Sequence, residues 1–117
     1  MDNITIYHNP RCSKSRQTLA LIREHGIEPR IIHYLDTPPS PDELARILSK
    51  LGKSPLEIAR KGEEAFKTYF ADADNLDEAA LISLMTQHPK VIERPIIVRA
   101  EQAIIGRPPE QVFHLLD

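Results

Sequence analysis

The chain has one cysteine, Cys12, in the polar run Pro10-Arg11-Cys12-Ser13-Lys14-Ser15-Arg16. An ordinary thiol, with a pKa of about 8.5, is only a few per cent thiolate at neutral pH. A fall to about 6.5 would make the nucleophilic form the majority. Two features of the run favour such a fall. Arg11, Lys14 and Arg16 supply positive charge, and the residues from Ser13 onward read as a helix, whose N-terminus offers unpaired N–H groups and about half a positive charge. The same N–H groups can cradle a small oxyanion, so nucleophile and substrate site would coincide. The polar flanks argue against Cys12 being a buried core residue. Three arginines further along, Arg60 at a helix end, Arg94 before Pro95 and Arg107 before Pro108, could bind a tetrahedral oxyanion bidentately if they converged on the sulfur.

Several chemistries are excluded by counting. A single cysteine permits no internal disulfide, no Cys-x-x-Cys couple and no all-cysteine zinc site, so redox chemistry needs a second thiol from another molecule. The cysteine-phosphatase spacing would require an arginine six residues after Cys12, where Thr18 stands. His8, His25, His33, His88 and His114 show no paired metal-ligand spacing, and no metal is expected. His8 is close enough in sequence to orient the thiol.

The elements that must position these residues are legible. Ile4 to Tyr7 reads as a strand, His8-Asn9-Pro10 as a turn, Ser13 to His25 as a helix closed by Gly26, and Arg30 to Tyr34 as a second strand. A strand-helix-strand unit of this length implies parallel strands. From Asp36 to Lys90 the chain reads as helical throughout. Ser40-Pro41-Asp42-Glu43 and Ser54-Pro55-Leu56-Glu57 are helix start signals, a third segment follows Gly62, and Asp77 can cap a helix carrying Leu81, Leu84 and Met85. Ile96 to Val98 and Ala103 to Ile105 flank a hairpin turn over Arg99 to Gln102, and Val112, Leu115 and Leu116 mark a last helix. The order describes an α/β fold of thioredoxin type: a four-stranded mixed sheet, βαβ then ββα, with a helical insertion at about 36–90 between the second and third strands.

At 117 residues the chain suits one domain, 1–117, and 41% hydrophobic with 27% charged residues is a globular composition. Fifteen Lys and Arg against 17 Asp and Glu leave a net charge of -2, with no basic field for nucleic acid or a membrane surface. No apolar run approaches the roughly 18 residues of a span, and Met1-Asp2-Asn3 does not open a leader, so a cytoplasmic protein is expected.

Ile4 through Arg16, with Tyr34-Leu35-Asp36-Thr37-Pro38-Pro39, Ala59-Arg60-Lys61, Gln87-His88-Pro89, Glu93-Arg94-Pro95-Ile96-Ile97-Val98 and Ile105-Gly106-Arg107-Pro108-Pro109, resembles the glutaredoxin-linked arsenate reductase (ArsC) family over almost the whole chain. The loop Cys12-Ser13-Lys14-Ser15-Arg16 is similar to that of its arsenate-reductase-like branch. The resemblance implies that Cys12 is the nucleophile with His8 beside it. It implies that Arg60, Arg94 and Arg107, with Ser15 and Arg16, bind the oxyanion, and that Pro95 is a cis-proline facing the cysteine loop. It also implies a reaction used in arsenic detoxification: the thiolate attacks arsenate, glutathione attacks the adduct, and glutaredoxin completes reduction to arsenite. No bound cofactor is called for; glutathione is the external reductant. Two other readings stand beside it. One is a non-enzymatic Spx-like regulator binding RNA polymerase, a type that usually carries Cys-x-x-Cys where position 15 here is Ser. The other is a glutathione-dependent thiol-transfer protein.

Overall fold

The computed structural model describes residues 3–116. Met1 and Asp2, used above in reading the N-terminus, lie outside the described residues, as does Asp117. The chain forms two compact units, one made of the residues up to 37 and those from 94 onward, the other of Pro38–Glu93.

The first unit is built on a four-stranded sheet of order β2-β1-β3-β4, from β1 (Ile4–His8), β2 (Arg30–His33), β3 (Ile96–Arg99) and β4 (Gln102–Ile105). The pair β1/β2 is parallel, and β1/β3 and β3/β4 are antiparallel. Pairing of Ile6 with Ile31 and Ile97, and of Ile97 with Ile104, lines up one isoleucine from every strand on a single face. That row packs with Leu19 and Ile22 of helix α1 (Ser13–Glu24) and with Val112, Leu115 and Leu116 at the C-terminus. A one-residue slip would turn the row out of the core, at about 2 kcal/mol for each side chain exposed. Register is thereby fixed, and this is the thioredoxin-like α/β arrangement. The C-terminal segment opens with a 3-10 turn, Pro109–Val112, before α5 (Phe113–Leu116).

The hairpin is tighter than its sequence suggests. Arg99 pairs with Gln102, leaving only Ala100 and Glu101 as the turn, and Ala100 adopts φ 54. Two-residue hairpins need that left-handed backbone, which a Cβ disfavours by about 1 kcal/mol and glycine does not. Ala100→Gly should therefore raise unfolding stability by roughly 0.5–1 kcal/mol in urea denaturation, despite glycine's greater freedom in the unfolded chain. A loss of stability would show that the turn relaxes at no strain.

In the second unit, α2 (Pro41–Leu51) starts where Ser40 Oγ accepts the Glu43 N–H at 3.1 Å and stops at Gly52 in the left-handed region, φ 68. Helix α3 (Glu64–Tyr69) follows Gly62, and α4 (Glu78–Gln87) is capped by Asp77, whose Oδ1 accepts the Ala80 N–H at 2.8 Å. The Ser54 signal behaves differently. Ser54 N–H does donate to Glu57 Oε1 at 2.9 Å, but only a 3-10 turn, Pro55–Ile58, results. The chain then becomes extended, because Ala59 bridges antiparallel to Ile92 while Arg60 N–H donates to Val91 O at 2.6 Å and Glu93 N–H to Ile58 O at 2.9 Å. A stretch that reads as wholly helical thus contains a short ribbon, held by pairing between segments some 33 residues apart, as the Arg60 to Glu93 spacing shows. No described helix is long and apolar enough to cross a membrane.

Candidate active site

Cys12 is the N-cap of α1, with extended backbone at φ -93 and ψ 122. The preceding loop is shaped by Asn9. Its backbone O accepts the Cys12 N–H at 3.0 Å, and its Oδ1 accepts the Arg11 N–H at 3.0 Å, a local Asx-type turn that leads directly into the helix. Contrary to the reading of its polar flanks, Cys12 is buried, with 9% of its surface exposed. Neighbouring side chains cover it, among them an arginine: Arg107 Nη2 lies 3.6 Å from Sγ and donates to it.

Burial pushes the Cys12 thiol up, yet its pKa is lowered overall. The Ser15 N–H, the hydrogen bond and charge of Arg94, and the Lys14 N–H together outweigh the desolvation. Helix terminus and guanidinium groups therefore act on one atom, which is the environment of a reactive rather than a structural thiol. Arg94 and Arg107 are themselves linked, since Arg107 Nε donates to Arg94 O at 2.9 Å. The peptide bonds Arg94–Pro95 and Arg107–Pro108 are both cis, the second unforeseen from the sequence.

The remaining predicted residues are placed less uniformly. His8 follows Ile6 by two residues, which puts its ring on the helix-covered face of the sheet. There its Nδ1 meets Ser15 Oγ at 2.6 Å, rather than the thiol. Ser15 Oγ also accepts the Asn9 N–H at 3.1 Å and Ser15 is fully buried, so its side chain braces the cysteine loop and only its N–H faces the sulfur. Burial foremost, then His33, Arg23 and Arg16, hold His8 below the usual imidazole value. Arg16 is exposed and its Nη1 donates to Pro10 O at 2.8 Å, closing the loop on itself. Arg60 belongs to the second unit, in the ribbon after the 3-10 turn, where Nη1 meets Glu93 Oε1 at 2.9 Å and Nε meets Glu63 Oε2 at 3.5 Å. The structure thus brings Cys12, Arg94, Arg107 and the α1 N-terminus together.

The close packing of Gly106 and the burial of Ser15 and Thr18 are not among the expectations drawn from the sequence. A Cβ on Gly106 would lie 2.6 Å from Thr18 Oγ1 and 2.8 Å from Pro95 Cγ. This close approach lets β4 lead straight into Arg107. The buried positions Ser15, Thr18, Leu19 and Ile22 have the spacing of one helix face, a signal that the sequence does contain. Gly106→Ala should lower stability by about 1–3 kcal/mol through overpacking and displace Arg107 from the sulfur. Urea denaturation and the pH dependence of Cys12 alkylation would register the two effects; an alanine variant unchanged in both would show that the site has slack.

A single ionisable thiol at a helix N-terminus, faced by guanidinium groups on a thioredoxin-like sheet, defines a class of one-cysteine thiol proteins fitted to anions. Residues 7–115 match the family model described as the ArsC family, and the chain belongs to that family. The chain is 46% identical over 114 residues to the uncharacterized protein YfgD of Escherichia coli K12, covering 97% of this chain and 96% of that one. It is 45% identical over 116 residues to the arsenate reductase of the same organism, covering 99% of this chain and 82% of the relative. Among solved structures, the arsenate reductase from Vibrio cholerae superimposes with a TM-score of 0.92 at 47% identity, covering 97% of each chain.

Proposed function

We propose that the protein is an arsenate reductase dependent on glutathione and glutaredoxin, acting in the cytoplasm. The observation that carries the reading is the Cys12 sulfur with its lowered pKa, approached by Arg107 and Arg94 at the head of α1. The Cys12 thiolate attacks arsenic, an S–As bond forms, and an oxygen leaves as hydroxide or water. Glutathione then attacks this adduct. Arsenic gains two electrons and departs as arsenite, and the two thiols that lose them form one disulfide, which glutaredoxin resolves. An external thiol is required because the chain has no second cysteine. Arg94 and Arg107 bind the tetrahedral anion and its transition state, and His8 with Ser15 holds the loop. Arg60 joins them on family resemblance. An RNA polymerase-binding regulator would have no use for a thiol tuned in this way.

The test is arsenate-dependent NADPH oxidation by the purified protein with glutathione, glutaredoxin and glutathione reductase. Turnover that needs Cys12 is the expected result. A folded protein with no turnover would overturn the reading.

A further inference from the structure

A cavity of about 220 Å³ opens beside the cysteine loop, on the side of edge strand β2. Residues His8 to Arg11 line it together with His33, Leu35 and Asp36. The volume falls below the roughly 300–1,000 Å³ of pockets that enclose a whole drug-sized ligand, so it suits one end of a longer molecule. Its charges are mixed. Arg11 and Asp36 are both exposed on its lining, and neither forms an ion pair among the described residues. His8 Nδ1 is taken by Ser15, leaving Nε2 as the ring atom available to a ligand. A cation and an anion lining one small cavity match a zwitterion, with carboxylate toward Arg11 and ammonium toward Asp36. Arg11 is the residue immediately before Cys12.

We infer that this cavity seats the α-amino-acid head of the external thiol, a zwitterionic peptide thiol whose sulfur then reaches Cys12. The inference rests on the proposed reaction for its ligand, but its test contains no arsenate. The Cys12 thiolate attacks one sulfur of oxidised glutathione; a Cys12–glutathione disulfide forms, the original S–S bond breaks, and one glutathione thiolate leaves. The same reaction with 2-hydroxyethyl disulfide offers no charged group to the cavity. Second-order rates with both disulfides, followed by the mass of the Cys12 adduct, are compared for wild type, Asp36→Asn and Arg11→Gln. Each substitution should slow oxidised glutathione by about five-fold relative to the neutral disulfide. Because Arg11 adjoins the thiol, its effect is read only in that ratio.

Equal slowing of the two disulfides, an unchanged ratio in both variants, or a wild type with no preference for oxidised glutathione would each overturn the assignment. Failure of arsenate turnover would leave these rates readable. Turnover with an unaltered ratio would keep the reductase and remove the pocket.

Discussion

Replacing Cys12 by serine should lower arsenate turnover by on the order of 10⁴-fold or more while leaving the protein folded. The two halves of this expectation have separate causes. A serine hydroxyl has no accessible anion at neutral pH, so lowering a thiol pKa with N–H groups and arginines achieves nothing for an alcohol. Stability, by contrast, should hold or rise slightly. Position 12 is the N-cap of α1, where the cysteine makes no side-chain cap hydrogen bond of its own, and serine is among the preferred residues at such positions. Urea denaturation should give the variant a midpoint equal to or above wild type, and the coupled NADPH assay should fall to the rate without enzyme. A folded serine variant that still turns over would sink the nucleophile assignment.

How much of this is readable from sequence follows from what sets each feature. Strands β1, β3 and β4, helix α1, and the caps at Ser40 and Asp77 are fixed by neighbours in sequence, and the structure places them within a residue or two of their expected bounds. The ribbon of Ala59 and Ile92 is not readable, because its hydrogen bonds join segments far apart in the chain and no local pattern announces such pairing. The turn at Ala100 misleads for a related reason: its left-handed backbone is imposed by the Arg99–Gln102 pairing on a residue that does not favour it.

The site divides along the same line. Cys12 at a helix start can be derived from Pro10, Gly26 and the spacing between them, whereas convergence of Arg94 and Arg107 on the sulfur depends on the β3/β4 hairpin returning both beside the β1–α1 loop. Burial of Cys12 misleads because flanking polarity reports on the loop's own side chains, while residues distant in sequence also pack on the sulfur, among them an arginine 95 positions away. His8, expected at the thiol, instead holds Ser15, which in turn receives the Asn9 N–H. The histidine thus acts on the loop that carries the thiol.

Arg94 has two tasks at once, and two substitutions should separate them. Its hydrogen bond and charge are among the causes that lower the Cys12 pKa, after the Ser15 N–H and against the opposing effect of burial. Arg94→Ala should therefore move the thiol pKa upward. Since the reactive form is the deprotonated one, the acid limb of the kcat/KM profile moves to higher pH. At a fixed pH below the new pKa, the thiolate fraction falls about ten-fold each time the pKa rises by one. Iodoacetamide alkylation of Cys12 across pH measures this directly. Arg94→Lys retains a positive charge near the sulfur, so its alkylation profile should stay near wild type, but it cannot present two parallel N–H groups to an oxyanion. It should still lose roughly 10- to 100-fold in kcat/KM for arsenate. Raising the pH distinguishes the two losses: a deficit from thiolate fraction closes once every variant is ionised, and a deficit from anion binding persists. A lysine variant with wild-type kinetics would place Arg94 outside the substrate site and leave it as a tuner of the thiol alone.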